Sequence, residues 1–415
     1  MKIGLYTLTS PLHDEAIVNA TSASFVSEIE AALGYGFHFH GPDFSDYGSD
    51  DLSLIYVRTG GTEGLFQQVY ERLGGTVLLL TSGKSNSLAA SMEILSFLNQ
   101  QGRTGEIIHG SVDYIAKRIN VLATVAKAQQ KLRGTRLGVI GEPSDWLISS
   151  TADSVALSDK LGIKLVDIQI SELIEEYHNA EFNEEVFASL KIKLDGVSEG
   201  IVKYYEGACK IYLALKTIVE RYSLSGMTLR CFDLLDTLNN TGCLALALLN
   251  AQGIPAGCEG DVPTLVTMTV GNALIGVSGF QANPSRIDPE TGEILFAHCT
   301  IPLNMVSDFT FNTHFESGIG MAIAGEIPSG DATIFKLSGD LTRSFCCGTE
   351  LLRCQKEANL CRTQAILKIK GSSEERMSIC KNYFLKSPVG NHHVVFTGDH
   401  KDLFDAFVRQ SLGII

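Results

Sequence analysis

Three of the chain's ten histidines fall in one stretch, "PVGNHHVVFTGDH", at residues 388 to 400. Two groups of related chemistry lie upstream: Glu259, between Gly257 and Gly260 in "AGCEGDVPTLVTM", and His298 in "ILFAHCTIPL". Singly, each has an ordinary explanation. An acidic loop residue is usually solvated, and a histidine in an apolar strand with Phe296 on its own face is usually a hydrogen-bonded core residue. Together they could do more, because one carboxylate and two imidazoles suit a divalent ion such as Mn²⁺. That requires Glu259, His298 and one of His392 and His393 to converge. "HHVVF" reads as a strand, so the adjacent pair points to opposite faces and at most one of them joins a given site. His400, past a Gly-Asp turn, reads as a cap or surface residue.

Other candidate motifs carry less. "SGKS" at 82 to 85 lacks the glycine a phosphate loop needs, since position 78 is Leu78. "GVIGEPSDW" at 138 to 146 has Pro143 where a dinucleotide fingerprint has its third glycine. Neither supports a nucleotide cofactor. Cys346, Cys347, Cys354 and Cys361 lack the paired spacing of a structural zinc site and read as buried or unpaired thiols. The loops "RTGGTEG", "TSGKSNS" and "GEPSDW" each leave a predicted strand at its carboxyl end, where open α/β sheets bind ligands, and they offer hydroxyls and amides suited to a polyol.

The elements that must position these groups follow a simple rhythm. Short apolar β-rich runs at 2–8, 52–59, 76–82, 105–110, 135–141, 163–170, 227–233 and 255–260 are mostly followed by helical patterns such as "DYIAKRINVLATVAKAQQKL". Strand and helix alternating in this way predict parallel sheets covered on both faces. After about residue 265, short alternating runs separated by Gly, Pro and Asp predict an antiparallel sheet or barrel. The expected fold is α/β: two doubly wound domains, 1–134 and 135–265, followed by a β-rich C-terminal domain, 266–415. Glu259 falls near the change of texture, a favourable place for a cleft.

A net charge of −14 over 415 residues argues against a nucleic-acid partner, which needs clustered Lys and Arg. No window resembles a membrane span, and the N-terminus does not read as a signal peptide. All ten cysteines lie after residue 208 without the even spacing of a secreted disulfide scaffold, so the expected home is the cytoplasm.

The blocks "CEGDVPTLVTM", "GFQANPSRIDPETGEILFAHCTIP" and "GNHHVVFTGDHKDLFDAF", with "TSGKSNSLAASMEIL" and "GVIGEPSDWLI" nearer the N-terminus, resemble the L-fucose isomerase and L-arabinose isomerase superfamily over most of the chain. The resemblance implies a three-domain subunit, a homotrimer or homohexamer, and Mn²⁺-assisted or similar divalent-metal interconversion of aldoses and ketoses. Carried over by position, Glu259 is a metal ligand and acid/base, His392 and His298 are metal ligands, and Asn391, His393 and Asp261 lie within reach of substrate. Asn283 departs from the pattern: it stands where fucose-type members have an aspartate that handles a proton, and an amide cannot take one at neutral pH. Either Asp261, Asp288 or Glu316 substitutes, or the chemistry is altered or lost. Two other functions remain compatible: a metal-dependent epimerase or aldolase on the same scaffold, and a catalytically silent sugar-binding protein.

Overall fold

The computed structural model describes every residue except 185, 186, 188–193, 195 and 415. The chain forms two compact units, Met1–Gln130 with Asp405–Gly413, and Lys131–Phe404.

In the first unit, strands β1 (Ile3–Leu8), β2 (His38–Gly41), β3 (Leu52–Val57), β4 (Val77–Leu80) and β5 (Gly105–Ile108) form a parallel sheet in the order β2-β1-β3-β4-β5. Its inner strands β1, β3 and β4 are mostly apolar because both faces are covered. On β3, Leu54 and Tyr56 pack with Phe25, Ile29 and Ile119, while Ile55 and Val57 pack on the other face with Phe66, Ile94 and Leu98. All eight expected runs contain a strand, but β2 lies outside that set; its exposed Phe39 and two histidines hide an edge strand's alternation.

The second unit opens with another parallel sheet, β6 (Arg136–Ile140), β7 (Lys164–Ile168), β8 (Gly226–Leu229) and β9 (Ala256–Cys258), ordered β7-β6-β8-β9. Antiparallel structure follows, as the change of texture predicts. Strands β10 (Phe280–Asp288), β11 (Glu293–His298), β14 (Gly330–Leu337), β15 (Ser344–Cys354), β16 (Thr363–Ile369) and β17 (His393–Thr397) close a barrel in the order β10-β11-β16-β15-β14-β17. Strands β12 (Asp308–Asn312) and β13 (Ala322–Glu326) pair with each other.

The helix Val262–Ile275 joins the two sheets of this unit, contacting β8 and β9 as well as β14 and β17. It is apolar nearly all round, the signature of a buried helix. A glycine inside a helix is ordinarily unfavourable by about 1 kcal/mol; at Gly271 a Cβ would stand 2.3 Å from the Phe396 ring, so only glycine lets the helix lie this close to β17.

Candidate active site

The site is assembled from the ends of three strands in the second unit. Glu259 follows the last residue of β9, with φ at 65°, and Gly260 continues the reversal at φ 70°. A non-glycine residue in this left-handed region is uncommon, and such strain tends to collect at functional sites. Neighbours hold the turn in place. Ser144 N donates to Glu259 O at 2.9 Å, Gly260 N donates to Leu229 O at 3.1 Å, and the Gln281 side chain bonds both N and O of Cys258. A Cβ on Gly260 would meet Glu142 O at 2.6 Å and Pro143 Cα at 2.7 Å.

His298 ends β11 and His392 immediately precedes β17. Both strands pair with β10, Ala282 opposite His393 and Asn283 opposite Ala297, so the two imidazoles flank the same stretch of that strand. Their rings stand 5.3 Å apart, centre to centre, and the Nε2 atom of each lies 3.5 Å from Glu259 Oε1. The Glu259, His298 and His392 side chains are 12%, 5% and 0% exposed. Burial pushes the Glu259 carboxyl up, but both histidines outweigh it and hold it well below the usual carboxylate range. The carboxylate is therefore ionised at neutral pH.

The distal nitrogens have partners that orient the rings. His298 Nδ1 lies 3.0 Å from Thr300 Oγ1, and His392 Nδ1 donates to Asp261 Oδ2 at 2.8 Å. A carboxylate behind a histidine fixes its tautomer and raises its basicity, the usual support for a metal-binding imidazole. Among the described residues His392 Nε2, buried, has no hydrogen-bond partner, Glu259 Oε1 standing 3.5 Å away. An orphaned buried nitrogen is costly, and here it faces the carboxylate that with His298 could hold a metal ion. The donor set fits: one oxygen and two nitrogens, mutually within 4.8 Å, suit a divalent transition metal.

Behind this trio lies a buried network. Asp261 caps the helix Val262–Ile275, accepting from Thr264 N at 2.8 Å, and is wholly buried. Lys336, on β14 and 1% exposed, donates from Nζ to Thr264 Oγ1 at 2.6 Å and stands 3.8 Å from Asp261 Oδ1. Burial pushes the Asp261 carboxyl up, yet Lys336 and His392 outweigh it and hold it low; burial pushes the Lys336 amine down. His392 is lowered by burial but raised further by Asp261 and Glu259, to about 9.

The remaining sequence candidates are placed as follows. Asn391 Nδ2 donates to Asn283 Oδ1 at 3.2 Å, joining the segment before His392 to β10. His393 is fully buried, with Nε2 2.8 Å from the Tyr383 hydroxyl, Nδ1 3.0 Å from Asn391 O, and Phe345 and Phe384 around it. Both its ring nitrogens are engaged by the protein, and burial lowers it to about 3. Asp261 lies behind His392 rather than beside it. Asp288 is exposed and caps a turn at Glu290 and Thr291. Glu316 is largely exposed; partial burial and then the charge of Glu259 raise its carboxyl.

Sequence reasoning did not single out Trp146, whose Nε1 donates to Glu259 Oε2 at 2.6 Å while its ring stands 4.8 Å from Phe232. The signal was its place in "GEPSDW", a loop at the carboxyl end of β6. Lys336 carries no such signal, since one lysine in an alternating strand reads as solvent-facing.

No protein-family model matches the chain. Over 266 residues, 61% of the chain, it is 23% identical to a protein named sulfoquinovose isomerase from Priestia megaterium (strain ATCC 12872 / QMB1551), covering 59% of that protein. A protein of the same name from Clostridium sp. (strain MSTE9) is 24% identical over 191 residues, 45% of this chain and 42% of its own. Another from Alkalicoccus urumqiensis is 21% identical over 267 residues, 61% and 59% respectively. The alignments thus span less than two thirds of those relatives. At this distance the chain is similar to proteins named as sugar isomerases.

Proposed function

We propose that the chain is a metal-dependent aldose–ketose sugar isomerase of the fucose/arabinose isomerase type. The observation that carries the reading is the convergence of Glu259, His298 and His392, with His392 Nε2 buried and, among the described residues, without a hydrogen-bond partner. The same donor set serves Fe(II) oxygenases; similarity to sugar isomerases favours the isomerase reading.

Moving a carbonyl from C1 to C2 requires a weakly acidic proton to leave carbon and return to its neighbour. Glu259, His298 and His392 would hold Mn²⁺ or a similar ion, which when bound would supply Lewis-acid stabilisation of the negative charge that develops on the sugar. Glu259, ionised and fixed through Oε2 by Trp146, is placed to take the proton from C2 and deliver it to C1. Asp261 holds the His392 ring, and Asn283 and Asn391 hold each other beside it. An amide cannot exchange a proton, so the proton transfer between O1 and O2 falls to a group other than Asn283.

The test is incubation of the Mn²⁺-loaded protein with a panel of aldoses, the sulfonated hexose in the relatives' name among them, with ketose products identified by NMR. Conversion of at least one aldose, slowed at least about 10²-fold by Glu259→Gln, is expected. A retro-aldol product, an epimer only, or sugar binding without turnover would replace this reading by the aldolase, epimerase or silent-binder alternative. A homotrimer or homohexamer is proposed for the assembly, and light scattering on the purified protein measures it.

A further inference from the structure

A second constellation lies in the first unit and has no role in the chemistry above. His38 and His40 are two apart on β2, an edge strand, so their side chains share a face. Asp50 lies across from both. His38 Nδ1 is 2.9 Å from Asp50 Oδ1 and 3.0 Å from Oδ2, and His40 Nε2 is 2.6 Å from Oδ2. Their ligating atoms lie mutually within 4.8 Å.

Three features make this a built arrangement. His40 Nδ1 faces Asp46 Oδ2 at 3.1 Å, which leaves Nε2 directed at Asp50, the orientation that a supporting carboxylate gives a metal-binding imidazole. The His40 ring is stacked on Tyr6, centroids 4.4 Å apart and planes 5° apart, and Tyr6 in turn donates to Asp46 O at 3.1 Å. Room for the carboxylate comes from Gly4, the residue paired with His38: a Cβ there would stand 2.6 Å from Asp50 Oδ2. Glycine inside a strand often marks such a close approach. The Asp50 and His40 side chains are 3% and 8% exposed, whereas that of His38 is 53% exposed, so the cluster has a closed back and an open edge.

The geometry points to a second metal site, in which His38 Nδ1, His40 Nε2 and Asp50 bind a Zn²⁺-class divalent cation with water completing its shell. Two imidazoles and a carboxylate with a position open to water suit Zn²⁺. The site is independent of the isomerase reading.

The test measures Zn²⁺ bound per full-length chain by equilibrium dialysis with elemental analysis, in the parent protein and in His38→Ala, Asp50→Asn and Asp46→Asn. One fewer Zn²⁺ per chain is expected in His38→Ala and Asp50→Asn, and about tenfold weaker binding at this site in Asp46→Asn, the lower range for loss of a supporting carboxylate. His38 is exposed, so His38→Ala keeps the test valid if the buried Asp50→Asn variant fails to fold. Sugar turnover in His38→Ala is expected to match the parent. Unchanged Zn²⁺ stoichiometry in His38→Ala would overturn the site and leave a His–Asp hydrogen-bond cluster; the same measurement on Glu259→Gln reports the other site separately.

Discussion

His392 is the residue on which the chemistry turns. Asp261 on one side and Glu259 on the other raise it to about 9, above the ordinary 6.5, while burial pushes His298 below that value. A metal binds only neutral imidazole. At pH 7, then, His298 is ready to bind and His392 must first release a proton. Mn²⁺ affinity is expected to rise by about tenfold per pH unit from near neutrality and to level off near pH 9, the slope for one displaced proton. Titration calorimetry at pH 7 in two buffers of different ionisation enthalpy should report close to one proton released per ion. Release of none would mean that His392 is not a ligand or is neutral in the free protein. Because Asp261 orients the ring without facing the ion, Asp261→Asn is expected to weaken Mn²⁺ about 10- to 100-fold, as loss of a ligand's supporting carboxylate does. Unchanged affinity in the same titration would contradict that role.

At the scale of elements, each proposed ligand sits where a strand begins or ends: Glu259 after β9, His298 at the end of β11, His392 before β17. Strand ends leave side chains free to converge while the ladders fix their backbones. The Glu259–Gly260 junction turns on two consecutive left-handed residues. Gly260→Ala must move the Glu142–Pro143 backbone and adopt a left-handed conformation costing about 1–2 kcal/mol for a residue with a Cβ. Lower thermal stability and loss of metal binding are expected together, measured by calorimetry with and without Mn²⁺; a variant that kept parental metal affinity would show that the turn does not hold the site. Much of this scale was legible in the sequence. Alternation of apolar runs and helical periods located β1 and β3 to β9, and the density of Gly, Pro and Asp turns marked the antiparallel part. The edge strand β2 was not legible, because a four-residue run with two histidines has no apolar face to betray it. Nor was the work of Lys336 or Gln281. Their partners, Asp261 and Thr264 for one and Cys258 for the other, lie 72 to 75 and 23 residues away, and residue type alone does not disclose such pairings.

On the scale of the whole molecule, the second unit unites a parallel sheet and an antiparallel barrel around one nearly all-buried helix, whose capping residue, Asp261, braces the site. Alternation of strands and helices, and the change of texture after about residue 265, correctly indicated an α/β chain with an antiparallel sheet or barrel at its C-terminal side, and the types of Glu259, His298 and His392 suggested their chemistry. Strand alternation separated His392 from His393 but could not say what each would face; the structure gives His392 to Glu259 and His393 to an aromatic core around Tyr383. Trp146 became visible only when β6 and β9 were placed in one sheet. Among the described residues no helix is long and apolar enough to cross a membrane. The central claim, proton transfer by Glu259 at a metal held with His298 and His392, is tested most directly by solvent exchange. The Mn²⁺-loaded protein and its Glu259→Gln variant are incubated in D₂O with an aldose that the protein turns over, and deuterium at C1 and C2 is followed by NMR. Exchange by the parent, with a loss of at least about 10²-fold in the folded variant, is the expected result, that being the low end of what a general base contributes. Equal exchange by both proteins, or none by the parent, would contradict it.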